Sequence, residues 1–133
     1  MTYPSAVILL RRNKMKKDDL EYVLDSAKKR EEILINHKPI SQHNKYLTIM
    51  RKYARKLIED GRQDELLPYL EDESISIRAD IACLLFHFYP DKCTEILQHI
   101  SNLTRADGLP EYFSWVSMAA HDNLKYGIPK DFP

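Results

Sequence analysis

Apolar residues in this chain recur every three to four positions, the spacing of one face of a helix, and no stretch alternates strongly enough to read as strand. From Lys17 to Asn36, Leu20, Val23, Leu24, Ala27, Ile33 and Leu34 fall near one side, with Asp18 and Asp19 as cap candidates. His37-Lys38-Pro39 breaks that pattern, and Pro39 suits the first turn of a second helix, Pro39–Asp60. Its stripe is Ile40, Leu47, Met50, Ala54, Leu57 and Ile58, flanked by Tyr46 and Tyr53, and Gly61 supplies the left-handed residue that ends it. A short helix over about Gln63–Leu70 tolerates Pro68 only near its first turns. Glu71-Asp72-Glu73-Ser74 reads as a turn, with Ser74 as the cap of the next helix. That helix, Ile75–Tyr89, is apolar almost throughout and is therefore predicted to be central. Pro90 and Asp91 open Lys92–Ser101, which turns Cys93, Ile96, Leu97 and Ile100 inward. After a polar loop at Asn102–Gly108, the last helix, Pro110–Tyr126, carries Tyr112, Phe113, Val116, Ala119, Ala120 and Leu124 on one side, and Gly127 closes it.

Composition narrows this picture. At 133 residues and 44% hydrophobic, the chain suits one domain over 1–133. Residues 1–16 read as irregular or as a short extra helix, and 127–133 as an irregular tail. Only 3 Gly, with no Asn-Gly or Gly-Gly pair, leaves little for β-hairpin turns. Cys83 and Cys93 both fall in helical patterns and need no disulfide framework, so a reduced, cytoplasmic protein is expected. The apolar run Ala6–Leu10 is too short for a secretory signal and precedes its charges rather than following them. No run approaches the roughly 20 apolar residues of a membrane span. The formal net charge is zero, yet residues 1–60 hold 14 Lys+Arg against 8 Asp+Glu, and residues 61–133 hold 6 against 12. Halves of opposite sign point to two different partner surfaces or to two parts that pack together.

Gly61–Ser101 has the wording of an α-hairpin repeat: two helical segments joined by a tight acidic turn. Asp72–Leu85 resembles the HEAT-like repeat signature, with an acidic turn, then Ile77-Arg78, then Ala79, Ile81, Ala82 and Leu85. More specifically, Asn44–Ile100 is similar to a small bacterial family known as domain of unknown function 2019. Gly61, Glu65–Leu70, Ile77–Ala82, Pro90 and Ile96–Leu97 echo that family's pattern, whereas Asp80 and Ile81 depart from it and make one face more polar. The resemblance implies an all-α fold, a short right-handed stack of two to three helical hairpins. Relatives of this kind include immunity proteins that neutralise toxins, which implies a non-catalytic inhibitor covering a toxin's active cleft.

Several side chains carry candidate chemistry. Arg78 projects into the apolar arc of its helix, where a charge is costly unless paired. It is read as a structural clamp on Asp72, Glu71, Asp64 or Glu65, with anion binding as the alternative. Ser76, Asp80, Cys83 and His87 form a polar stripe on the opposite side. Cys83 and His87 could make a nucleophilic pair, or half a zinc site with Cys93 and His99. No elbow presents the thiol and the spacing is not a metal pattern, so a packed or partner-touching stripe is preferred. The cluster Asp64, Glu65, Glu71, Asp72 and Glu73 serves the helix dipole or forms a negative rim suited to a basic partner such as a nuclease. Lys45, Arg51, Lys52, Arg55 and Lys56, with Lys28, Lys29 and Arg30, make a basic face that could meet nucleic acid. Without interleaved exposed aromatics and with zero net charge, a solvated face is preferred. Trp115 lies at the edge of the last apolar arc, either a binding anchor or a boundary core residue. No triad, phosphate loop or dinucleotide pattern occurs. The expectation is therefore a protein-binding module with no catalytic, cofactor or metal residues and no membrane contact. Its partner-binding residues would be Glu71, Asp72, Glu73, Asp80, His87, Trp115 and Asp122; nothing in the sequence fixes an oligomeric state.

Overall fold

A computed structural model describes residues 17–104 and 107–133. Among them there is no strand; five α-helices and one 3₁₀ helix account for the regular structure. The expectations for residues 1–16 lie outside the described residues. Helix α1 spans Asp19–Ile35, with the Asp18 side chain accepting from the Leu20 amide. Helix α2 spans Ile40–Glu59, and Pro39 sits at its N-cap rather than inside its first turn. Gly61 at φ +70° closes α2, its amide bonding the Ile58 carbonyl while that of Arg62 reaches Leu57. Paired returns of this kind satisfy carbonyls the helix leaves free.

Four segments differ from the sequence reading. Gln63–Glu71 is a 3₁₀ helix, not an α-helix, since Pro68 has no N–H to donate to an α-helical ladder. Helix α3, Ile75–Leu85, stops four residues early, and Phe86–Tyr89 forms turns before Pro90. The residue before a proline is driven out of the helical region, and Tyr89 indeed sits at φ −135°, ψ 65°. Helix α4 runs Pro90–Ser101, starting at Pro90 rather than Lys92, and α5 runs Phe113–Tyr126, starting at Phe113 rather than Pro110. The central placement of the third apolar segment is correct: Ile75, Ile77, Ile81, Ala82, Leu84 and Leu85 of α3 are all buried.

Side-chain links fix the directions of the helices. Arg62, just beyond α2, forks onto Asp18 at the start of α1 at 3.0 and 2.7 Å, so these helices run antiparallel. Tyr89, just beyond α3, donates to Asp64 at the start of the 3₁₀ helix, so this pair is antiparallel as well. Ser117 of α5 donates to the Ser101 carbonyl at the end of α4 at 3.1 Å, marking a third hairpin. Glu31, near the end of α1, accepts from Ser74 at the start of α3 and from Tyr112 at the start of α5. All three hairpin turns therefore gather at one end of the stack, the turn end. Among the described residues no helix is long and apolar enough to cross a membrane.

Candidate functional site

Helices α2, α3 and α5, the second member of each hairpin, together line a cavity of about 270 Å³. From α3 come Ser76, Ala79, Asp80 and Cys83, three of the four residues in the polar stripe anticipated from sequence. Leu47 and Met50 of α2 and Val116 and Asn123 of α5 form the sides, with Leu34 of α1. The C-terminal tail completes the wall with Ile128, Pro129 and Phe132. That tail is irregular as expected, yet it is packed: Ile128 is buried, His87 Nε2 lies 2.7 Å from the Pro129 carbonyl oxygen, and the Phe132 ring lies under Arg51 at 4.9 Å.

Arg30 and Asp80 form the polar floor. Arg30 Nε and Nη2 donate to the two Asp80 carboxylate oxygens at 3.1 and 3.3 Å, and Nη1 donates to the His43 carbonyl at 3.0 Å. Arg30 is 9% exposed. Burial pushes the Asp80 carboxyl above its usual range, against the pull of the adjacent guanidinium. The His43 imidazole is pushed down to about 4, first by burial and then by the nearby Arg30 charge. Burial, helped by the Asp80 charge, pushes the Cys83 thiol up to about 12. Asn123 Nδ2 donates to its sulfur at 3.3 Å. A thiol held neutral in this way is a poor nucleophile.

The expected clamp by Arg78 is not found. Arg78 is half-buried, and its Nε has no hydrogen-bond partner among the described residues. Three of its four proposed acceptors are engaged elsewhere: Glu65 with Arg62 at 2.7 and 2.9 Å, Asp64 with Tyr89, and Asp72 with the Ser74 amide at 2.9 Å. The fourth, Glu71, is exposed. The guanidinium that does clamp two helices belongs to Arg30. A signal for it exists, because Arg30 continues the buried line Val23, Ala27 of α1 and so brings a cation onto the apolar stripe, as Asp80 brings an anion onto α3.

The candidate partner-binding residues separate into groups. Glu71 and Glu73 are exposed at the turn end, beside the half-buried Asp72. Trp115 is 60% exposed near the same end, at the mouth of the cavity together with Ile40, which is 59% exposed. Asp80 lies inside the cavity, so it is not a surface anchor. His87 and Asp122 are exposed towards the opposite end, where His87 holds the tail and Asp122 lies 3.6 Å from His121. Cys83 and Cys93 are free thiols, and among the described residues no three or more potential metal ligands cluster. On the basic hairpin, half-buried aromatics lie beside the lysines. Tyr22 and Tyr53 stack at 4.1 Å, with Lys17, Lys52 and Lys56 within 5.4 Å of one or the other ring, and Lys45 is 5.8 Å from Tyr46. Comparison with family models, with curated proteins and with solved structures finds no match to this chain.

Proposed function

We propose that this chain is a non-catalytic protein-binding module, most concretely an immunity-type inhibitor that docks its turn end onto a toxin and covers the active cleft. The observation that carries this reading is the exposure of large apolar side chains around one opening. Trp115 and Ile40 flank the cavity mouth, Ile35 is exposed just before the α1–α2 turn, and Met118 lies one helical turn beyond Trp115. Monomeric proteins rarely leave apolar side chains grouped in this way unless a partner covers them. Tryptophan is among the residue types enriched at the energetic centres of protein interfaces. The exposed carboxylates of Glu71 and Glu73 add a negative rim at the same end, suited to a basic partner such as a nuclease. The resemblance of Asp72–Leu85 to HEAT-like repeats and of Asn44–Ile100 to the domain of unknown function 2019 family points the same way.

The test is co-expression with the product of the reading frame adjacent to this one. A stoichiometric complex that relieves toxicity is expected. Trp115→Ala should weaken that complex by about thirtyfold or more, the loss of a roughly 2 kcal/mol anchor. Failure to form a complex, or an unchanged affinity for the variant, removes the reading.

One observation favours a second reading, nucleic-acid binding through the α1–α2 hairpin. The tyrosine pair with lysines against its rings is the type of surface on which bases stack while ammonium groups meet phosphate. It ranks second because the Tyr22 and Tyr53 faces cover each other and Lys17 is already paired with Asp25 at 2.8 Å.

A further inference from the structure

We infer that the cavity over α3 is a binding site for a small uncharged amphipathic molecule, about the size of a bicyclic aromatic. This goes beyond the protein-docking reading and does not depend on it.

Size sets the first limit. An apolar void of about 150 Å³ accepts benzene, and drug-sized ligands occupy about 300 Å³ or more. At about 270 Å³, this cavity lies between the two. Its walls are mostly hydrocarbon, with Leu34, Leu47, Met50, Val116 and Ile128 among them, so an apolar body is favoured.

Charge sets the second limit. The Arg30 guanidinium already serves both Asp80 oxygens and the His43 carbonyl, which leaves the pair neutral overall. His43, Cys83 and Asn123 are uncharged near neutral pH. An anion would find the only cation of the floor taken, and a cation would find the only carboxylate taken. Either would lose its hydration without a new partner.

The polar floor sets the third. Ser76 is 4% exposed and lines the cavity, so its hydroxyl is one of the polar groups on an otherwise mostly hydrocarbon wall. A hydroxyl can both donate and accept, so it can pair with a ligand N–H or O–H. The Asn123 side chain, also on the cavity wall, uses its Nδ2 on Cys83 and carries an amide oxygen that can accept. One N–H or O–H on an otherwise apolar ligand would meet these groups, and Trp115 and Ile40 at the mouth would flank it.

Indole is a suitable probe, with tryptamine and indole-3-acetate as its cationic and anionic counterparts. In the ¹H–¹⁵N spectrum of the full chain, indole should shift the Trp115 side-chain N–H and the Asn123 side-chain amide saturably. Both charged analogues should bind about tenfold more weakly or worse, given the cost of burying an unpaired charge. No saturable shift up to the solubility limit of indole, or equal affinity for a charged analogue, overturns the assignment. Ala119 is exposed at the cavity wall, so Ala119→Phe should obstruct the site without touching the core. It should abolish binding and leave the helical circular dichroism intact, and retained binding overturns the site. If that variant fails to fold, Ser76→Ala decides instead. It keeps the volume and should weaken indole about threefold to tenfold by removing one hydrogen bond, whereas unchanged affinity overturns the assigned floor.

Discussion

Arg30 and Asp80 stand 50 residues apart in the chain and meet as a forked pair with side chains only 11% and 13% exposed. Removing one partner leaves the other buried without its counter-charge. Asp80→Ala should therefore cost about 3 kcal/mol in urea unfolding. Adding Arg30→Met should recover most of that loss, because two apolar side chains need no mutual neutralisation. A single-variant cost under about 1 kcal/mol would mean that the pair does not hold α1 to α3. His43 supplies the pH dependence at this scale. The unfolded imidazole takes its proton near pH 6.5, the folded one only near 4. Between those values the unfolded chain binds more protons, so stability is complete above pH 6.5 and falls as the pH drops towards 4. The full shift corresponds to about 3 kcal/mol, and because the ring is only half-buried solvent screening reduces the expected loss to roughly 2 kcal/mol; His43→Gln should flatten it. An NMR titration placing the folded His43 near 6.5 would contradict this. The pair was half legible in the sequence: Arg30 continues the line of Val23 and Ala27, while Asp80 belongs to the polar stripe Ser76, Asp80, Cys83 and His87. A helical stripe does not say which other helix it will face, and so the sequence reading gave Arg78 the role that belongs to Arg30.

At the scale of elements, the hairpins were legible because each apolar stripe keeps its period until a residue with special backbone needs stops it. Gly61 at φ +70° and Gly127 at φ +83° end α2 and α5 where the sequence reading ended them. The helix type was misjudged around Pro68 and the end of α3 ahead of Pro90, where a missing donor or a constrained neighbour outweighs an apolar pattern that continues unbroken, and α5 starts at Phe113 rather than Pro110. What the pattern could not give is how the hairpins join, since that rests on Glu31. One oxygen of this carboxylate accepts from both Ser74 and Tyr112, tying the starts of α3 and α5 to the end of α1. Ser74 also caps α3 by accepting from the Ile77 amide at 3.1 Å. Ser74→Ala should thus cost more than a cap alone, about 2 kcal/mol. Tyr112→Phe should cost about 1 kcal/mol. Because both donors share one acceptor, the double variant should depart from the sum of the two, as chemical denaturation of all four proteins would reveal. Strict additivity would mean that the hairpins dock independently of Glu31.

For the molecule as a whole, the question is which charged surface works. Among the described residues of the basic half, three of the ten cations are paired with carboxylates, Arg30 with Asp80, Lys29 with Glu32 and Lys17 with Asp25, and Lys52 and Lys56 are exposed. In the acidic turn Glu71 and Glu73 are exposed, while Asp72 is committed to the Ser74 amide. Association with a basic partner should therefore respond to Glu71→Lys and Glu73→Lys, with the on-rate falling about tenfold at low salt and the difference shrinking as the Debye length contracts. The off-rate should move little, since rim charges steer encounter more than they hold the complex. Lys52→Glu with Lys56→Glu, beside the stacked tyrosines, should leave that association unchanged. The opposite pattern would be informative in its own right. If the chain binds a nucleic-acid duplex or single strand with a steep salt slope, and the Lys52/Lys56 reversal abolishes that binding while the Glu71/Glu73 reversal does not, then the α1–α2 hairpin is the working face. Measuring both variant pairs against both kinds of partner over a salt series separates the two, because no single charged surface can produce both dependences.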